Sequence, residues 1–138
     1  MDAVFLIGRI LFGLLFIASG LMGHLAGYAQ LKGYAESKGF PFAGPAVLIS
    51  GVVVVLAGIG LILGVWADLS ALGIAVFLFF TAFFIHPFWR ETDPMARITE
   101  MTQFQKDLGL LGAALVFFAV TAYGGEFGPT LTDPLFQL

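Results

Sequence analysis

Cysteine is absent from this chain, and charged side chains are scarce. Without cysteine the chain can form no disulfide, no thiolate zinc site, no cysteine-ligated iron-sulfur cluster and no cysteine nucleophile. Only 11 % of the residues are charged, against about a quarter in ordinary soluble domains. The few basic residues form no run, which argues against a nucleic-acid partner. Because the chain has no cysteine to hold a redox centre, any redox chemistry must use groups on other chains.

Apolar side chains are abundant instead, and they make up 59 % of the 138 residues. A soluble domain of this size buries only about 60 to 70 % of its unfolded surface. With this composition it would expose large apolar patches and aggregate. The composition therefore predicts an integral membrane protein in contact with the lipid bilayer.

Four apolar stretches have lengths close to that of a membrane-spanning helix. They cover residues 3–21, 46–66, 69–85 and 108–123. We predict an all-α fold with a single domain over residues 1–138, a four-helix transmembrane bundle made of two hairpins. The spacing of Met95, Ile98, Met101 and Phe104 also allows a short amphipathic surface helix over residues 92–106.

The basic residues predict the orientation of this bundle. The loops over residues 24–45 and 86–107 share one side of the membrane and carry Lys32, Lys38, Arg90, Arg97 and Lys106. The other side has no flanking Lys or Arg. The positive-inside rule then puts both loops in the cytoplasm of a prokaryotic cell, with the protein in the cytoplasmic membrane and both termini outside.

Small side chains recur at helical spacing in every predicted span. Lipid gives helices no hydrophobic reason to associate, so small residues that let backbones approach usually mark the contact faces. We predict helix packing at Gly13 and Gly20, Gly60 and Gly64, Ala71 and Ala75, and Gly109 and Ala113. The ordinary excess of glycine in membrane helices explains part of this pattern as well.

Arg9 is the one charged residue well inside a predicted span. Charged residues in such places are functional candidates by default. In one interpretation Arg9 contacts a substrate or a quinone. In the other it snorkels outward or pairs with an acid on its own side of the membrane. The acids on that side are Asp2, Asp68, Glu126 and Asp133.

His24 and His86 lie where spans meet the loop side. Two imidazoles at equal depth can ligate a haem or exchange a proton with a quinone, and each can also make an ordinary interfacial hydrogen bond. Trp89 suits an aromatic belt at the membrane surface. The candidates for quinone binding or for an interface are Arg9, His24, His86 and Trp89. We predict no catalytic residue on this chain and no metal site, because the acids of the second loop lack the supporting residues that a metal site needs.

Several short motifs occur together along the chain. They are Gly8-Arg9-Ile10 with Phe16 and Gly20, the segment Gly58 to Gly64, His86-Pro87-Phe88-Trp89, Phe104-Gln105-Lys106-Asp107 ahead of Leu110-Leu111-Gly112, and Asp133. In this combination the chain resembles the DoxX family, small four-helix membrane proteins of bacteria and archaea, over nearly its whole length. The resemblance implies a membrane partner of electron-transfer systems, because one branch of the family supplies subunits of a thiosulfate:quinone oxidoreductase.

Three positions depart from the family's pattern. Gly23 stands where the family commonly has a lysine, Val54 where it commonly has a glutamate, and Asp107 in place of an asparagine. Removing one member of a buried ion pair strands the other charge, so the joint loss of lysine and glutamate fits two residues that served each other. Their loss favours a scaffold over an independent catalyst.

Three functions follow as hypotheses. The first is a non-catalytic membrane subunit packed against other membrane-protein subunits of a respiratory or other redox complex. The second is an oxidoreductase component that binds quinone itself; no other cofactor is indicated by a motif. The third is a small transporter, which is disfavoured because no acid lies inside a predicted span to relay protons or bind a cation.

Overall fold

The outer surface of the structure is apolar, as expected of a chain surrounded by lipid. The computed structural model describes residues 2–138, with side chains from residue 3 onward. Large side chains such as Val4, Leu11, Ile49 and Leu56 are exposed. Within this part of the chain, four helices are long and apolar enough to cross a membrane and no residue forms a strand. The predicted all-α, multi-pass transmembrane bundle is therefore confirmed.

The first hairpin contains α1 (Asp2–Ala18), α2 (Tyr28–Ser37) and α3 (Ala43–Leu63). α1 runs directly into a π-helical segment, Ser19–Ala26, so the first candidate span covers Ala3–Ala26 and is longer than predicted. α2 lies in what was predicted as a loop. α3 ends at Gly64, whose φ of 67° is left-handed. Glycine adopts this conformation without steric cost and commonly ends helices in this way.

The second hairpin contains α4 (Ala67–Phe80), a π-helical segment (Thr81–Ile85), a 3-10 turn (Phe88–Arg90) and α5 (Pro94–Ala122). The Asp93 carboxylate caps α5 by accepting the Ala96 N–H at 2.8 Å. The helix predicted over residues 92–106 exists, but it is the first part of α5 and not a separate surface helix.

The length of α5 explains this continuity. A helix of 29 residues is about 43 Å long at 1.5 Å per residue. The hydrocarbon core is about 30 Å thick. The polar first turns of α5 therefore extend past the lipid, where they carry side chains that face the loops.

Glycines on both helices bring α1 and α3 into close contact. A Cβ on Gly13 would lie 2.7 Å from the Gly58 carbonyl oxygen, and a Cβ on Gly20 would lie 2.8 Å from that of Gly51. Gly13 of α1 and Gly20 of the following π-helical segment thus lie at the contact with α3. Their partners on α3 are Gly51 and Gly58, which the sequence prediction did not select.

The other small residues selected from the sequence have different positions. Gly60 packs against Ser70 of α4, and Gly64 is the end of α3. Ala71 and Ala75 are buried in the core. The prediction for Gly109 is wrong, since a Cβ there would meet nothing within 4 Å. On α5 the small side chain that enters the core is Ala114, while Ala113 is only half-buried.

The segment after α5 folds back over the α3–α4 turn. The backbone N–H groups of Leu131 and Thr132 donate to the Gly64 carbonyl at 3.1 and 3.2 Å. The Phe127 side chain is buried in the core. We call this end of the bundle the terminal end, and the opposite end, with residues 24–45 and 86–107, the loop end.

Candidate functional site

A cavity of about 330 Å³ lies in the loop-end half of the bundle, and all five helices contribute to its wall. Much of this wall is apolar, with Phe16, Leu31, Val47 and Phe77 among its members. The polar side chains on the wall are Ser19, His24, Tyr34, Ser50, Thr81, His86, Lys106 and Asp107. An apolar pocket with a few polar groups is the usual form of a site for a small organic molecule.

Both π-helical segments of the described chain border this cavity. The first contributes Gly23 and His24, and the second contributes Thr81 and Ile85 directly before His86. The His86 N–H bonds the Thr81 carbonyl at 3.0 Å, five residues back, which is the π-helical pattern. Such turns are rare and frequently occur at functional sites. They place both histidines of the chain at the cavity wall.

His24 is buried and held by α3. Its Nδ1 lies 3.1 Å from the Val47 carbonyl oxygen and 3.0 Å from the Ser50 hydroxyl. Because a carbonyl only accepts, the bond to Val47 requires a proton on Nδ1, which leaves Nε2 as an acceptor in the neutral ring. A Cβ on Gly51 would lie 2.5 Å from the His24 Cβ, so glycine at this position makes room for the imidazole.

His86 lies between two carboxylates of α5. Its Nδ1 is 2.8 Å from Glu100 Oε2, and its Nε2 is 3.9 Å from Asp107 Oδ2. The first distance is that of a hydrogen bond and the second is too long for one. Glu100 and Asp107 are two helical turns apart on α5, so they face the same ring.

Glu100 is the centre of a polar cluster, which we define as Tyr34, Lys38, His86, Glu91, Glu100 and Asp107. Its Oε1 accepts hydrogen bonds from the Tyr34 hydroxyl and, at 2.9 Å, from Lys38 Nζ. Lys38 also pairs with Glu91. The cluster thereby joins α2, the second loop and α5, and three of its members, Tyr34, His86 and Asp107, line the cavity.

Two pKa values outside the spans reflect these contacts. Burial raises the pKa of Tyr34 above its ordinary value, and the hydrogen bond to Glu100 and the charges of Glu100 and Glu91 raise it further. Burial by itself would lower the pKa of Lys38, but hydrogen bonds and charge from Glu91 and Glu100 outweigh burial, so this pKa is raised. Both groups keep their protons at neutral pH.

Arg9 lies outside the cavity, at the terminal end, and is fully buried. Its guanidinium donates to the carbonyl oxygens of Leu61 and Ile62 at 2.8 Å each, of Phe127 at 3.0 Å and of Pro129 at 2.6 Å. It thus binds the last turn of α3 and the folded-back segment together.

The acid partner expected for Arg9 is not found among the described side chains. Asp68 instead accepts the Phe136 N–H, while Glu126 and Asp133 are exposed. The remaining alternative, Asp2, lies outside the described side chains. Carbonyl oxygens at a helix end lack intrahelical partners and carry partial negative charge, which explains how they can replace a carboxylate here.

Trp89 is also outside the cavity. It is 47 % exposed and packs its ring against Phe88 and Phe104, with centroids 5.2 and 5.6 Å away. Of the four candidates taken from the sequence, the structure therefore brings His24 and His86 to one cavity and places Arg9 and Trp89 elsewhere.

The family model for DoxX matches residues 4–87. This match covers more than half of the chain and includes nearly all of the first three spans, both histidines and both π-helical segments. The chain belongs to the DoxX family. No curated protein and no solved structure matches it. The match ends at Pro87, so the motifs ahead of and within α5 lie beyond it, although the resemblance seen in the sequence extended further.

Two departures from the DoxX pattern can now be placed. Gly23 is on the cavity wall, and a Cβ there would meet nothing within 4 Å. Val54 is fully buried in the core. Glycine at position 23 therefore leaves space beside His24 that a longer side chain would occupy.

The sequence prediction missed Tyr34, Lys38, Ser50 and Glu100 of this DoxX protein. One signal for α2 was present, because Tyr28, Leu31 and Tyr34 recur every three residues and so share a helix face. A second was the seven-residue spacing of Glu100 and Asp107, which puts two acids on one face of a continuous helix. Neither signal shows that His86 is the hydrogen-bond partner of Glu100.

Proposed function

We propose that this DoxX protein binds an isoprenoid quinone in the loop-end cavity and acts as the quinone-binding membrane component of a redox complex. The observation that carries the proposal is the cavity itself, which has apolar walls and two histidines, one within a π-helical segment and one directly after the other. Apolar walls suit an isoprenoid tail. Hydrogen-bonding side chains suit the two carbonyl oxygens of a quinone ring.

The electrons for such a reaction come from another chain. The protein has no cysteine and therefore no thiolate ligand for an iron-sulfur cluster. Its subunit partners are accordingly chains that carry a flavin or an iron-sulfur centre. The protein would supply the membrane anchor and the quinone site of the complex.

The position of Gly23 offers a direct test. Gly23→Leu adds a side chain on the cavity wall, where the backbone has room for it. Gly112→Leu is the matched control, since Gly112 also has open space around it but lies on the exposed face of α5, away from the cavity. Purified wild type and both variants are titrated calorimetrically with ubiquinone-1, and the quinone that co-purifies from native membranes is extracted and quantified.

We expect wild type and Gly112→Leu to bind ubiquinone-1 and Gly23→Leu to bind at least about tenfold more weakly, a loss of roughly 1.4 kcal/mol or more. Equal binding by all three would contradict the assignment to this cavity. Absence of quinone from the wild type, together with stoichiometric recovery of redox subunits, would favour the non-catalytic accessory subunit. Recovery of neither quinone nor redox subunits would favour the transporter hypothesis.

A further inference from the structure

We propose that His86 exchanges a proton with the molecule held in the cavity and that Glu100 is its positioning residue. This inference rests on the proposed function, because the molecule is taken to be a quinone. It assigns Nε2 of His86 as the reacting atom. It also explains why the buried carboxylate of Glu100 contacts three groups, the Tyr34 hydroxyl, the Lys38 ammonium and His86 Nδ1.

The tautomer of His86 follows from the contacts of Glu100. Oε1 of Glu100 is occupied by the Tyr34 hydroxyl and the Lys38 ammonium, and Oε2 lies 2.8 Å from His86 Nδ1. An ionised carboxylate can only accept, so Nδ1 carries the proton. Nε2 is then the nitrogen that gains and loses a proton, as in a carboxylate-oriented imidazole of a hydrolase.

The free nitrogen is at the cavity. His86 and Asp107 both line it, and Nε2 is 3.9 Å from Asp107 Oδ2, beyond hydrogen-bond distance. Among the described side chains no closer partner for Nε2 is found. A structural link between the two loops would need only the contacts of Lys38 with Glu91 and Glu100. It would not need an imidazole whose second nitrogen is left at a cavity wall.

Charged and titratable side chains face His86 from several elements. Glu100 and Asp107 face it from α5, Tyr34 faces it from α2 with a ring-centroid distance of 6.2 Å, and Lys38, Glu91 and Lys106 complete the surroundings. Two ammonium groups face three carboxylates. One further proton on His86 therefore leaves no net positive charge in this partly buried cluster.

The chemical step is the protonation of a quinone oxygen. Complete reduction takes two electrons and two protons and forms two O–H bonds. A flavin or iron-sulfur centre on a partner chain supplies the electrons. The protonated Nε2 of His86 gives up one proton, so its N–H bond breaks as one quinol O–H bond forms, and water supplies the second proton. In quinol oxidation the same nitrogen accepts the proton.

The positioning by Glu100 can be tested without a ligand. The chain has two histidines, so ¹⁵N-histidine labelling gives two rings, and His24→Gln leaves His86 alone. We expect a neutral His86 protonated on Nδ1. Glu100→Gln should give a mixture of tautomers, because an amide can donate as well as accept. Glu36→Gln is the matched control, since Glu36 is exposed on α2 and, within the described part of the chain, its one ion pair is with Lys32. A wild-type ring protonated on Nε2 would overturn the proposal.

The proton exchange is tested by oxidising bound ubiquinol-1 with ferricyanide in stopped flow. Each quinol gives two electrons to two ferricyanide ions and releases two protons, which a pH dye reports. General-base catalysis contributes about 10²–10⁴-fold. We therefore expect the pH-dependent oxidation rate of the bound quinol to fall by about 10²-fold in His86→Gln and by at least about tenfold in Glu100→Gln, with Glu36→Gln unchanged.

A structural contribution of the cluster would behave differently. It would lower the melting temperature of the variants and leave the rate and its pH profile unchanged, which would overturn the proposal. Glu100→Asp is the second variant if Glu100→Gln does not fold. It keeps the charge but moves the carboxylate away from His86, and it should also slow the reaction.

Failure of the wild type to bind ubiquinol-1 would contradict the proposed function. If ubiquinol-1 binds but is oxidised equally fast in all variants, only the proton exchange is contradicted.

Discussion

Arg9 shows how a single charge can be accommodated inside a span without a carboxylate. Its guanidinium has five N–H donors, and four hydrogen bonds to carbonyl oxygens use most of them. Two of these oxygens belong to the last turn of α3, and two belong to the segment after α5. Arginine suits this position because its planar guanidinium carries several donors and so reaches the carbonyl oxygens of α3 and those of the segment after α5. The single ammonium group of a lysine could not reach both sets of oxygens.

Replacing Arg9 should therefore affect stability and not ligand binding. In Arg9→Met, four acceptors lose their donor, and each buried acceptor left unsatisfied costs about 1–3 kcal/mol. We expect a marked loss of thermal stability and faster proteolysis after residue 124. Arg9→Lys should lie between Arg9→Met and wild type. Unchanged affinity for ubiquinone-1 in variants that still fold is part of the prediction, and a wild-type melting temperature for Arg9→Met would contradict it.

The polar cluster predicts a loss of stability at alkaline pH. A group whose pKa is raised on folding stabilises the fold below its unfolded pKa, and this contribution is lost as the pH rises toward the folded pKa. Tyr34 and Lys38 are both of this kind, with ordinary values of 10.0 and 10.5. We expect the melting temperature to fall above about pH 10, and to fall less steeply in Tyr34→Phe.

Tyr123→Phe is the control for this measurement, because Tyr123 is exposed at the other end of the bundle. It should follow the wild-type curve. Tyrosinate absorbance gives a second readout: near pH 11, about one unit above the ordinary tyrosine pKa, removing Tyr34 should not reduce the absorbance. A clear reduction there would show that Tyr34 ionises normally.

At this scale the sequence indicated which residues are unusual but not what they contact. Arg9, His24 and His86 stand out because polar side chains are rare in apolar segments. Glu100 and Lys38 lie in charge-rich stretches, where a buried carboxylate cannot be distinguished from a solvated one. Lys38 and Glu100 meet only because α2 packs close to α5 at the cavity. This contact joins residues far apart in the sequence, so local sequence patterns do not predict it.

The α1–α3 contact shows what sets the distance between two elements. Gly13 of α1 faces Gly58 of α3, and Gly20 faces Gly51. Each position is seven residues from its partner on the same helix, which keeps the pairs on one face. Backbone oxygens come closer here than any side chain would permit, and such close approach drives helix association in lipid.

Two glycines of α1 provide a matched pair of substitutions. In Gly13→Ala the new Cβ would lie 2.7 Å from the Gly58 carbonyl oxygen and 2.6 Å from Ile62 Cγ1, so the helices must move apart. In Gly8→Ala the Cβ meets nothing within 4 Å. We expect Gly13→Ala to lower the melting temperature, and Gly8→Ala to be neutral or stabilising by up to about 1 kcal/mol from helix propensity. Equal effects at the two positions would contradict the close contact.

Hydropathy was sufficient to locate the four spans, because only long apolar helices satisfy their backbone within lipid. It was not sufficient for α2 or for the π-helical segments. α2 is too polar on average to resemble a span. A π-helical turn in an apolar run leaves no mark on the average hydropathy of Ala3–Ala26. The bounds of α5 were also misjudged, since its first turns are polar and continue a helix that the apolar pattern starts at residue 108.

For the whole molecule, the distribution of charge and the position of the cavity are linked. The polar cluster and the flanking Lys and Arg residues are at the loop end, and the cavity lies in the same half of the bundle. The terminal end is closed by the segment after α5, through Arg9, Gly64 and Asp68. From the positive-inside rule we predict that the loop end faces the cytoplasm. A redox partner that serves the cavity would then dock from the cytoplasmic side.

The absence of cysteine makes this orientation directly measurable, because an introduced cysteine is the one thiol of the chain. Ser37→Cys places it at the exposed end of α2, and Gln137→Cys places it on the exposed segment at the opposite end. In right-side-out spheroplasts, a membrane-impermeant maleimide should label Gln137→Cys and not Ser37→Cys, and both should react after lysis. The reverse pattern would place the polar cluster and the cavity half of the bundle outside the cell, and the docking side of the proposed redox partner would then be outside as well.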